Sequence, residues 1–333
     1  YPATKSSDNY SLEIFGGIQT KASGVNLPDT SLYIVNFGNN EGYAVLSAQK
    51  KVQTDIFCIT EAGTISPADL NEAFARMSEN SSVSESDVEG DFVDCGSVFI
   101  PSIIASSLVN QLVYGYQFDN ADNLTKSNTY TGTPNTLAML ETKWYQGNPF
   151  NDFRVDEAPA GCVAIATAQI IEFNAVNNGY SSFVSDGNRS FDWNQLLTVC
   201  HCTNRFNFLG VDPDALQEAS DFLYYIGLRK NCNITYGAGG SSGWADGAKR
   251  TFSNMGYHNV HTYLGFENAA KNRAIAQLTS GLPMYMDGSG PDGGHAFVLD
   301  GLYTRMVYGE TGEYLRTENL FHINWGWRGL DEG

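Results

Sequence analysis

AGCVAIATAQIIEFN, residues 160–174, decides how this chain folds. From Cys162 onward, small and apolar residues occupy nearly every face at helical spacing. A helix that is apolar all round sits at the centre of a domain rather than on its surface. Gly161 precedes it and leaves Cys162 at the helix head, where unpaired backbone N–H groups favour a thiolate. The plain alternative is a small cysteine buried in a tight helix, as most free cysteines are.

Downstream of this helix, ALQEASDFLYYIGLRK (215–230) reads as an amphipathic helix. AGGSSGWADG (238–247) reads as a Gly/Ser loop before a helix in AKRTFSNMG, and AAKNRAIAQLTSG (269–281) as a helix stopped by Gly281. From Pro283 the pattern turns to strands: MYMDG, HAFVLDGLY and EYLRTENLFHINWGW. Helices first and an antiparallel sheet after them give a segregated α+β domain.

Upstream, LAMLETKW (137–144) is expected to be a short helix before the loop QGNPFND (146–152). The polar run from Asp119 to Pro134, with Gly132 and Pro134, reads as an exposed linker open to proteolysis, with Lys126 in its middle. The domain boundary belongs there, giving units of 1–126 and 127–333. In the first unit, LYIVNF (32–37) and YAVLSA (43–48) flank a Gly/Asn turn and predict a β-hairpin. DIFCIT (55–60) predicts a further strand. SPADLNEAFARMSE (66–79) predicts a helix capped by Ser66, with Pro67 at its first position. The Ser- and acid-rich run 80–91 reads as a loop, and IPSIIASSLVNQLVYGY (100–116) as a helix.

Length supports two cores rather than one. The chain is 42% hydrophobic and 17% charged, a composition that folds. A net charge of −18 argues against nucleic-acid binding, because phosphates need neutralising cations. No run approaches roughly 20 apolar residues, so no membrane-spanning helix is expected. The chain opens at Tyr1 without Met or a charged leader, as expected of a processed protein that has lost an export signal. Cys58, Cys95, Cys162, Cys200, Cys202 and Cys232 show no disulfide-framework spacing. Cys200-His201-Cys202 with Cys232 hints at zinc, but C-x-C is not the usual ligand spacing. Buried free thiols, or a local disulfide, read better there.

A cysteine nucleophile needs a base and a group that orients the base. Five histidines compete for the first role. His201 lies in the Cys-rich patch, and His258 and His261 in a polar connection. His322 alternates with Asn324 on a strand. His295 follows Gly293 and Gly294, where little bulk shields its ring, and it leads with His322 behind it. Asn324 offers an amide oxygen to fix the imidazole tautomer, and Trp325 would cover that bond. Read alone, NWGW is equally an aromatic cluster under a turn. Gln146 offers a side-chain amide that could join the Cys162 N–H in holding an oxyanion, though alone it reads as a surface residue.

GCVAIATAQI, QGNPFN, GGHAFVLDG and FHINWGWRG, in this order, closely resemble the streptopain family, the C10 group of papain-like cysteine peptidases. The resemblance implies a papain-like catalytic domain (127–333) preceded by a small α+β inhibitory propeptide (1–126). It implies Cys162 as nucleophile, His295 as base and acid, Asn324 as orienter and Gln146 as oxyanion donor. Trp325, Gly294 and Ser242 would contact bound peptide. It further implies protein substrates, no metal or organic cofactor, and a secreted or cell-envelope bacterial protein. Two other readings fit the same fold: an inactive binding protein, or a thiol amidase or transpeptidase acting on cell-wall peptide.

Overall fold

The structure, a computed structural model, describes residues 10–17, 27–49, 56–60, 63–79, 101, 104–105, 108, 129–136, 138–153, 158–178, 184–185, 189–201, 208, 210–290, 293–309 and 311–328. The expected loop at 80–91, most of the helix at 100–116, residues 119–128 with Lys126, Cys95 and Cys202 lie outside them.

Strands β1 (Tyr10–Phe15), β2 (Leu32–Phe37), β3 (Tyr43–Ser47) and β4 (Ile56–Ile59) form an antiparallel sheet in sequence order. The β2–β3 hairpin is the expected one. Its turn holds Asn39 and Asn40 at φ 59° and Gly42 at φ 97°, left-handed values that Asn and Gly adopt at least cost. Helix α1 (Pro67–Glu79) starts as expected at Ser66, whose N–H and Oγ each donate to Asp69 Oδ2 at 2.7 Å. Leu70, Ala73 and Phe74 enter the core with Phe15, Leu32, Ile34 and Val45. Pro101, Ile104, Ala105 and Leu108 are helical and buried, and the last three join the same cluster.

The remainder contains β5 (Thr129–Thr136), α2 (Cys162–Asn177), the two-residue strands β6 (Val184–Ser185) and β7 (Arg189–Ser190), α3 (Trp193–Cys200), α4 (Pro213–Gly227), α5 (Ala245–Asn254), α6 (Asn268–Thr279), β8 (Met284–Gly290), β9 (Gly293–Tyr308) and β10 (Tyr314–Asn324). Strand β9 is the spine of the second sheet. β10 runs antiparallel along one edge; β8 pairs with the first half of the other edge and β5 with the second half. Every α2 residue from Val163 to Ala175 is buried, as the all-round apolar reading requires. Residues of α3, α4 and α5 pack around it, and Ala296 and Val298 of β9 close the core.

Two expectations are corrected. Residues 138–145 form neither helix nor strand. Met139 N–H donates to Asp300 O, Leu140 N–H to Asp300 Oδ2 and Lys143 N–H to Cys200 O, at 2.9, 2.9 and 2.7 Å. Amides committed to distant acceptors leave no local helical ladder. The linker is also shorter than its composition suggests, because residues 129–134 belong to β5. Its Thr/Tyr-rich sequence suits an edge strand, and Pro134 falls at a register shift, where a missing N–H is tolerated. At smaller scale, α4 ends at Gly227 and α5 begins at Ala245, each three residues from its expected bound. Cys200 and Cys232 are buried free thiols, the first of the two alternatives offered for them.

Inside α2, Glu172 is 2% exposed, and burial raises its pKa to about 7. A carboxyl raised in the fold contributes stability that is fully present below its unfolded pKa and is lost as pH rises through 7. Urea midpoints of the full chain are expected to fall between pH 4.5 and 8 by the equivalent of roughly 3 kcal/mol. Glu172→Gln should flatten that fall, and an unchanged slope in the variant would refute the assignment.

Candidate active site

Cys162 is the first residue of α2 and is half-buried. Its N-cap Gly161 holds φ 93° and supplies no side-chain cap. The Gly/Ser loop presses on this helix head. A Cβ on Gly243 would meet Ile234 Cδ1 at 2.7 Å and Val163 Cβ at 3.2 Å, and one on Gly161 would meet Ser241 Cβ at 3.5 Å. Ser242 is exposed at the rim, fixed by reciprocal 2.9 Å backbone bonds with Thr235. Gln146 approaches from the other side. Its carbonyl accepts the N–H of Ala160 at 2.8 Å, two residues before the cysteine.

His295 is the third residue of β9, after exposed Gly293 and Gly294; Gly293 holds φ 108°, a value suited to glycine. The ring is 7% exposed and lies in an aromatic box. Its centroid is 4.9 Å from Trp327, 6.1 Å from Trp325 and 6.5 Å from Phe297. Nε2 lies 2.9 Å from the carbonyl oxygen of Trp325. A carbonyl only accepts, so Nε2 carries the proton and Nδ1 the lone pair of the neutral ring. Burial lowers the pKa of His295 to about 4, outweighing the opposite pull of the Trp325 carbonyl. The ring is therefore neutral, with its proton on Nε2.

Asn324 lies one step further back than expected. It is buried, and its Oδ1 accepts the N–H of Gly326 at 3.0 Å, so it fixes the turn that aims the Trp325 carbonyl at the ring. The register explains this. Asn324 stands opposite Val298, which faces the α2 core, whereas His295 stacks with Phe297 on the other face of β9. His322, the second candidate base, is engaged elsewhere: its Nδ1 lies 2.6 Å from Oδ1 of fully buried Asp300, whose other oxygen takes the Leu140 N–H. His201, His258 and His261 are exposed.

Sequence reasoning missed three contributors. Trp327 is the ring nearest His295, and its signal was the second Trp of NWGW. Tyr285 on β8 is partly buried near Cys162; its pKa is raised first by burial, then by Asp287 and Cys162. Arg328 contacts the Gln146 loop. The two tryptophans also join the core of the N-terminal unit, clustered with Phe15, Leu32, Ile34, Leu70 and Phe74. The box around His295 is thus closed from the N-terminal side.

A model of the peptidase C10 family matches residues 144–333. Streptopain of Streptococcus pyogenes is 28% identical over 251 residues, covering 64% of this chain and 59% of its own length. The chain thus spans less than two thirds of that relative. The thiol protease/hemagglutinin PrtT of Porphyromonas gingivalis is 23% identical over 212 residues, 57% of this chain and 22% of its own. A cysteine-to-alanine variant of a Prevotella intermedia prointerpain A fragment superposes with a TM-score of 0.54 at 17% identity, covering 97% of this chain and 91% of that one. At that identity the likeness is one of fold, and the fold is the expected papain-like one with an N-terminal unit.

Proposed function

Since the chain belongs to the peptidase C10 family, we propose that it is the precursor of an exported cysteine endopeptidase, silenced by its own residues 1–126 until the linker is cut. The observation that carries the latency is the burial of His295 under Trp325 and Trp327, which also pack into the N-terminal core. With its pKa near 4, the imidazole stays neutral, so the imidazolium that stabilises a thiolate is withheld at neutral pH.

Once the N-terminal unit leaves, the Cys162 thiolate attacks the scissile carbonyl. The Gln146 side-chain amide and the Cys162 N–H hold the tetrahedral oxyanion. His295 gives its proton to the leaving amine as the C–N bond breaks, then takes one from the water that hydrolyses the thioester. The Trp325 carbonyl orients the ring, and Asn324 acts through the Gly326 turn. Gly294 and Ser242, exposed on the two rims, are the peptide contacts in this scheme, with Trp325 beneath the ring. Denatured casein is the discriminating substrate: the activated chain should cleave it, whereas an amidase or a binding protein should not. Gln146→Ala is expected to lower kcat by roughly 100-fold, and an unaltered kcat would remove Gln146 from the oxyanion hole.

A further inference from the structure

The structure assigns Arg328 as a positioning residue that clamps the loop carrying Gln146 against the turn carrying Trp325 and Trp327. This rests on the reading of Gln146 as oxyanion donor. A donor held loosely stabilises little, because preorganisation is what makes an oxyanion hole effective.

Arg328 grips that loop on both sides of Gln146. Its backbone N–H donates to Trp144 O at 3.1 Å, and Nη2 donates to Asn148 O at 3.2 Å. Its guanidinium carbon lies over the Tyr145 ring, 3.5 Å from the centroid, and Nη2 also donates to the Tyr145 hydroxyl. The phenol in turn donates to Asn148 O, and its pKa, pushed up to about 12 chiefly by burial, keeps it a neutral donor. A Cβ on Gly147 would meet Tyr145 Cε2 at 2.7 Å, so the ring sits directly against the peptide that follows Gln146. With Gln146 O bonded to Ala160, the loop is pinned to the helix head at one point and to Arg328 at three residues. Only a planar cation stacks on a ring and reaches two acceptors at once; lysine is a point charge.

The backbone adds an independent sign. Arg328 adopts φ 61°, a left-handed conformation unfavourable for a residue with a Cβ. Such a conformation persists where surrounding contacts over-determine it, and these sites cluster around functional centres. Glycine would meet the backbone demand with no strain, so here the side chain's contacts offset the strain.

The experiment compares Arg328→Gly, Arg328→Lys, Gln146→Ala and the Gln146→Ala/Arg328→Gly pair in the full chain after activating cleavage. Arg328→Gly is expected to lower kcat about 10- to 100-fold, with KM little changed. Alkylation of Cys162 by iodoacetamide, which forms no oxyanion, should keep its rate. The thermal midpoint should move by only a few degrees, because glycine relieves the φ strain while losing the side chain's contacts. Arg328→Lys should recover only part of the loss, and in the Gln146→Ala background Arg328→Gly should cost nothing more. The clamp is overturned if kcat is unchanged, if alkylation falls with it, or if the two losses multiply. If Gln146→Ala slows turnover and Arg328→Gly does not, the clamp alone is wrong. If Gln146→Ala is itself harmless, the underlying reading fails and the clamp fails with it.

Discussion

Peptide hydrolysis by a Cys162→Ala chain is expected to fall by a factor on the order of 10⁴ to 10⁶, the scale on which losing a nucleophile removes a catalytic unit. The fold should survive the change. Cys162 is only half-buried and opens α2, and alanine is the best helix former. The same variant tests how the precursor matures. Incubated side by side and followed by mass, the unsubstituted chain should shorten within residues 119–128 while the variant stays at full length. Equal shortening of both, or of neither, would sink autoprocessing and leave the linker to another protease. Residual turnover within tenfold of the unsubstituted chain would sink the nucleophile assignment itself.

The second large effect concerns acid. A histidine whose folded pKa is lowered contributes stability that is present above its unfolded pKa of about 6.5 and lost as pH falls through about 4. The ring is buried partly by tryptophans that pack into the N-terminal core, so this loss acts on docking of that unit. Between pH 7 and 4 the closed form should weaken by roughly 3 kcal/mol, about a hundredfold in the opening equilibrium. Trp325 and Trp327 report the change directly through fluorescence. An acid transition is expected in the Cys162→Ala chain and should be absent when His295→Leu is added. An identical transition in both chains would show that other carboxylates, not His295, loosen the contact. The sign is opposite to that of Glu172, whose protonation stabilises α2, so the two are separable by pH and by probe.

How much of this was legible from letters alone differs from element to element. Helix α2 could be read because a helix with no polar face has one place to go, and the β2–β3 hairpin because Asn-Asn-Glu-Gly suits left-handed backbone. The segment 138–145 was misread because Leu137, Leu140 and Trp144 mimic a helical spacing. Its true conformation is set by Asp300 and Cys200, acceptors that no local window contains. Strand β5 was hidden for a related reason: an edge strand takes its bonds from a neighbour and needs no apolar period. Helix α3 was overlooked although Asp192, which accepts the N–H groups of Asn194 and Gln195, is a readable cap. At the site, the paired glycines before His295 suggest an open ring, whereas the fold buries it to 7% exposure among aromatic neighbours. The atom that fixes its tautomer could not be read, since a main-chain carbonyl is common to every residue and only the fold selects Trp325 for the task.

The sharing of Trp325 and Trp327 also gives maturation a direction. If the linker is cut as proposed, neither ring would travel with the N-terminal unit, so the departing piece would leave two large side chains behind and carry a hole in its own core. Each lost aromatic costs a small domain about 3–5 kcal/mol, comparable to the whole stability such a fold possesses. The released fragment is therefore expected to unfold rather than return as a free inhibitor. On the proposed function the cut would work as a ratchet: an intramolecular lid that holds while tethered would have no folded form left with which to compete for the cleft.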